Sequence, residues 1–154
     1  MYNLIIMAYF PAYSPVGEIR AAAILTNAYV VAKTFGDQNS ANNNGANPTE
    51  LETDNESSEL VLSYTYTKGS LTSVSLKAEF SADGSTWFQE QSETTSAGVS
   101  TLSDRTHLLT GAATARKGSF TISMIAPFVR VSALGNGTVT SSSLALSAHF
   151  IRKF

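Results

Sequence analysis

The sequence predicts an all-β fold: an antiparallel β-sandwich, jelly-roll-like, of about eight short strands, preceded by an extended N-terminal arm. Three observations predict it. Apolar residues recur at every second position in several stretches, the period of a half-buried strand. Turn-forming residues separate those stretches. Polarity is carried by Ser, Thr, Asn and Gln instead of charge: only 14% of the 154 residues are Asp, Glu, Lys or Arg, against about a quarter in an ordinary domain.

The alternation is clearest from Glu59 onward. Leu60, Leu62, Tyr64 and Tyr66 fall on one face, and Val61, Ser63, Thr65 and Thr67 on the other. Lys68-Gly69-Ser70 turns the chain. Val74, Leu76, Ala78 and Phe80 then alternate with Ser73, Ser75, Lys77 and Glu79. Ala82-Asp83-Gly84-Ser85 reads as a hairpin turn, with Gly where a positive φ is wanted, and Trp87-Phe88 opens the return strand. Val99–Leu109 reads as one strand and Ser119–Met124 as another, with Phe120, Ile122 and Met124 on one face. A strand over Phe128–Ala133 follows Pro127, Leu134-Gly135-Asn136-Gly137 turns, and Leu144, Leu146, Ala148 and Phe150 form the last alternating set. No fixed-period repeat is present, which argues against a propeller or solenoid.

The N-terminal half is less regular. Residues 1–20 read as the arm and 21–154 as a single sandwich domain, with a long polar and acidic loop over 36–58. Pro11 and Pro15 oppose a helix or a central strand in the arm, whose aromatic residues Tyr2, Tyr9, Phe10 and Tyr13 need a surface to cover. That surface is either the domain's own core or a neighbouring subunit. Ala22–Phe35 is the first regular element, and Glu18–Leu25 fits a strand or a short helix. The first 67 residues hold the excess negative charge and the rest is slightly positive. A solvated acidic loop explains this most plainly; head-to-tail pairing of copies is the sharper reading.

Composition excludes several classes. A net charge of −2 draws the chain to neither nucleic acid nor anionic membrane. With no Cys, there are no disulfides or thiolate metal sites. No apolar run is long enough to span a bilayer as a helix, and no Lys or Arg precedes Arg20, so no secretory leader is expected. Met7 is an alternative start to Met1.

Candidate chemistry is sparse. His107 and His149 each stand in a strand without ligand-spaced partners, so neither metal nor cofactor is expected. They read as surface or interface side chains. No G-x-S-x-G elbow accompanies the many serines. Glu79, Asp83, Glu90 and Glu93 flank a hairpin and read as exposed surface carboxylates, not as a glycosidase pair. Asn55-Glu56-Ser57 and Asn136-Gly137-Thr138 fit the glycosylation sequon, which matters only in a eukaryotic secretory setting. Trp87 and Phe88 read as a core anchor or as a stacking platform for a sugar.

From Leu71 on, the chain resembles the small β-sandwich structural proteins of tailed-phage virions. The residues that carry the likeness are Leu76 through Glu90 with its D-G-x-x-W turn, Thr101-Leu102-Ser103, Phe128-Val129-Arg130-Val131-Ser132-Ala133, and a closing strand rich in Ser and Ala. It covers roughly the C-terminal half. The resemblance implies a non-enzymatic virion component, most simply a capsid decoration or cement protein. Such a protein binds the major capsid protein from outside the shell and bridges capsomers, commonly as a homotrimer. A tail, baseplate or adhesion module that binds host glycan through Trp87 and Phe88 is the alternative.

Overall fold

The computed structural model describes residues 17–35, 57–110 and 115–152. Eleven strands and no helix occur among them. The first sheet holds β1 (Gly17–Ala23), β11 (Ser143–Arg152), β3 (Ser57–Thr67) and β9 (Ala115–Ser123), in that order. The second holds β2 (Val30–Phe35), β10 (Phe128–Gly137), β4 (Leu71–Ser81) and β5 (Phe88–Gln89), with β8 (His107–Leu109) also paired to β4. β6 (Gln91–Ser96) and β7 (Val99–Asp104) pair only with each other. Every pairing is antiparallel.

Alternation decides which face is buried. Leu60, Leu62, Tyr64 and Tyr66 of β3 lie opposite Phe150, Ala148, Leu146 and Leu144 of β11. All eight are in the core. From the second sheet come Phe35, Val74, Leu76, Ala78, Phe80, Val129, Val131 and Ala133. Phe35 and Phe150 meet edge-to-face across the two layers, centroids 5.3 Å apart, the arrangement their ring quadrupoles favour. Each large side chain fully buried here contributes about 1.5–3 kcal/mol from area alone.

Two glycines are required by geometry. Gly69, in the β3–β4 turn, has φ +54°, and a Cβ there would collide with the backbone of Ser141. Gly118 on β9 pairs with Tyr64, and a Cβ would stand 2.6 Å from the Tyr64 hydroxyl. The tyrosine ring thus covers the bare backbone of its cross-strand glycine.

In its strands the structure departs from the sequence reading at several points, and Ala22–Phe35 is not one element but the end of β1 followed by β2. Glu18–Ala23 is strand, not helix, and Gly17–Arg20 belongs to the sandwich, not to an arm: β1 pairs with β11, and Ile19 is in the core. Alternation was blurred there because β1 is an edge strand with two register shifts. Past the bend, the Arg20 guanidinium donates to the carbonyls of Leu144, Ala23 and Ile24. The span 99–109 is two strands, broken at Arg105, whose N–H donates to the Glu90 carbonyl at 2.7 Å. β6 is wholly polar and gave no apolar signal.

Candidate functional site

β4 is buried on both faces, although its outward residues are polar. Ser73, Ser75 and Glu79 are as covered as core residues. Their cover is a polar layer on the outside of the second sheet. The Asn136 amide donates to the hydroxyls of Ser73 and Ser75 at 2.9 and 2.8 Å, so the nitrogen of this sequon asparagine is already engaged.

Farther along β4, Glu79 accepts two bonds from its cross-strand partner Arg130, at 2.9 and 3.1 Å. Lys77 stands 3.2 Å from the same carboxylate. The Arg130 guanidinium lies 4.6 Å from the Trp87 ring centroid, and the Lys77 ammonium 4.8 Å from that of Tyr29. The result is a chain of aromatic ring, cation, carboxylate, cation and aromatic ring. The Arg130 hydrogen bond, helped by Lys77, holds the Glu79 carboxyl below its ordinary value even though burial opposes ionisation. Glu79 is therefore not the exposed surface carboxylate its alternation suggested. It does point outward, but the long side chains of Lys77 on β4 itself and of Arg130 on β10 close over it.

Trp87 is half-buried, with one ring face taken by Arg130. It is neither a core anchor nor a bare platform. Phe88 is 68% exposed. Just before them, Asp83 is fixed by its own turn: its carboxylate accepts the N–H groups of Ser85 and Thr86, both at 2.8 Å, and the Ser81 hydroxyl. The backbone donors of Thr86 and Ser85 push its pKa far below the usual carboxylate range.

Glu90 is the second corrected carboxylate. It is buried, accepting from Arg105 at 2.8 Å and from His107 Nε2 at 3.0 Å. The His107 ring stacks on Phe120 of β9, centroids 4.6 Å apart. His107 is thus not a surface side chain; it links the rim of one sheet to the other. His149 lies half-buried on β11. Among the described residues no group of three or more His, Asp or Glu is placed to hold a metal ion.

Glu90 and Arg105 also clamp the root of a projecting ribbon made of β6 and β7. Its two-residue turn, Ala97-Gly98, has positive φ at both positions, 50° and 78°, the type that matches strand twist. Every strand residue of the ribbon except Ser92 is exposed. Register puts Ser92, Thr94, Ser96, Val99, Thr101 and Ser103 on one face. Gln91, Glu93, Thr95, Ser100, Leu102 and Asp104 are on the other. Val99 and Leu102 are 65% and 64% exposed.

The outer face of the first sheet is built from small side chains. One register row runs Glu18, Ser147, Ser63, Ser119 across four strands. A shallow depression of about 310 Å³ lies there, with Glu18 and Lys117 among its lining residues.

Tyr2, Tyr9, Phe10 and Tyr13 lie outside the described residues, as does the segment 36–56. The sequence reading missed Arg130, Lys77 and Tyr29. Their only signal was a cation on each outward face, which acquires meaning once register sets Arg130 beside Glu79. Comparison of the chain with protein-family models, with curated proteins and with solved structures finds no match.

Proposed function

We propose that this chain is a non-enzymatic structural protein of a phage particle, of the capsid decoration type. It binds the major capsid protein on the outside of the shell, bridges capsomers and associates with copies of itself as a homotrimer. The observation that carries the reading is the β6–β7 ribbon. Two strands alone are marginal in water, so a ribbon that leaves its own core bare is suited to packing on a neighbour. Strand order adds support. With β5 and β8 counted as one interrupted strand and the ribbon set aside, the sheets have the orders β1-β11-β3-β9 and β2-β10-β4-β5, and the chain changes sheet at every step except from β4 to β5. That order supports reading the sandwich as a jelly roll, an architecture used by capsid and lectin domains alike. The fold therefore supports the class by analogy alone.

The deciding experiment is the copy number of the chain in purified particles, by quantitative mass spectrometry against the main shell protein. Abundance comparable to the shell protein is expected. Absence from particles overturns the reading.

One observation favours a second reading, a tail or baseplate module that binds glycan: the Phe88 ring is open to solvent beside Trp87. Arg130 over Trp87 weighs against it. Under that reading, Phe88→Ala abolishes retention on host glycan and leaves particle copy number at a few.

A further inference from the structure

We propose that the β6–β7 ribbon of one copy adds to the free edge of β9 in a second copy, so that a six-stranded sheet, β1-β11-β3-β9 followed by the partner's β6 and β7, runs across the interface. The inference rests on reading the chain as an assembly protein and names the elements that join its copies.

The edges of the two sheets are not equivalent. β1 is bent by two register shifts against β11, and β2 carries one against β10; irregularity of this kind protects an edge from pairing. β5 and β8 are two and three residues long. β9 is different. It runs nine residues, holds unbroken register with β3, and pairs with no other strand among the described residues. A straight open edge of this length offers a full row of backbone donors and acceptors to an incoming strand.

Charge selects the occupant. β9 carries Arg116 and Lys117 and no acidic residue. Both are exposed, and neither forms an ion pair among the described residues. The ribbon carries Glu93 and Asp104 and no basic residue. Its two acids share one face, with Leu102 between them in the register. When β6 lies along β9 with that face continuing the outer face of the sheet, Glu93 comes beside Lys117 as a cross-strand neighbour, where opposite charges favour pairing.

The donor ribbon and the acceptor edge are also close together in one chain. The contacts Glu90 to His107 and His107 to Phe120 place the ribbon root next to β9 of its own chain. Donor arm and acceptor edge therefore lie on one side of the molecule. Reciprocal use of both by two copies closes a pair, and head-to-tail use closes a ring where the rotation between copies permits it.

The test is sedimentation of four purified full-length chains: wild type, Glu93→Lys, Lys117→Glu, and the two combined, each checked for its strand signal by circular dichroism. Wild type is expected to self-associate, less so at high salt. Each single reversal is expected to weaken association by about tenfold or more, because it sets like charges together, and the combined variant to restore it. A second readout uses the absence of cysteine: Glu93→Cys with Lys117→Cys should form an intermolecular disulfide, since paired strands bring Cα atoms within bonding range. A monomeric wild type, or single reversals that fold but associate normally, or a combined variant no better than either single one, overturns the proposal. Copy number in particles is a separate readout. A solution monomer that still coats shells overturns this interface alone, and an oligomer absent from particles overturns the virion reading alone.

Discussion

At the scale of single residues, the strongest commitments are made by charges that sequence alone placed in solvent. Glu79 is buried beneath Arg130 and Lys77, so its ionisation is coupled to folding. Its folded pKa lies below the ordinary glutamate value of 4.5, through the Arg130 hydrogen bond first. A depressed carboxyl stabilises the fold fully above its unfolded pKa and loses that contribution as pH falls through the folded value. Glu79→Gln is therefore expected to cost about 1–3 kcal/mol near neutrality, with the difference closing in acid. Urea unfolding of both chains from about pH 7 to pH 3 measures it; a pH-independent difference would show that the ion pair is not the source. Tyr66 makes the opposite case. Its hydroxyl is buried with no hydrogen-bond partner among the described residues, and burial raises its pKa. Tyr66→Phe removes an unsatisfied polar atom and is expected to raise stability by about 1 kcal/mol. A lower unfolding midpoint for the variant would reveal a partner for that oxygen.

At the scale of elements, the ribbon is the part least tied to the core. Its own bonds are local: the Ser92–Ser103 and Thr95–Ser100 hydroxyl contacts at 3.1 Å each, and Gln91 to Asp104 at 2.8 Å. Its amides are expected to exchange through local opening, well before those of β3, β4, β10 and β11. Ala97 holds φ 50°, a conformation that costs an L-residue with a Cβ about 1–2 kcal/mol. Asn tolerates it, so Ala97→Asn is expected to slow exchange across Gln91–Asp104 and to leave the sandwich amides unchanged. Unchanged ribbon exchange would mean that the turn does not limit opening. The ribbon was poorly legible in sequence for a plain reason. A strand with both faces in water has no apolar alternation to read, and β6 contributes only Gln, Ser, Glu and Thr.

At the scale of the whole molecule, one core joins both sheets, and the first described strand pairs with the last. Stability therefore rests on contacts between distant parts of the chain, the topology that folds slowly. Leu146 illustrates the cooperative cost. It is 1% exposed on β11, and Tyr64 is its neighbour in register. Leu146→Ala is expected to cost about 2–5 kcal/mol, transfer and cavity terms together. Thermal unfolding should remain a single transition, measured by calorimetry. Two separated transitions would mean that the sheets do not form one unit.

Period-two alternation by itself determined the all-β class and the inward sets on β3, β4 and β11, and turn-forming residues marked the turns at Gly69 and Gly84. Each is fixed within a few residues, by strand pleat or by backbone sterics. Tertiary structure alone decided what the outward residues do. Glu79 meets Arg130, Glu90 meets Arg105 and His107, and Trp87 lies under a guanidinium, because register brings together residues up to 51 positions apart. Spacing along the chain holds no record of register between strands. Facing alternation reads as polar out and apolar in, and cannot reveal that a polar face is itself covered. For that reason the core was legible from sequence, while the ion-pair layer and the projecting ribbon emerged only from the packed strands.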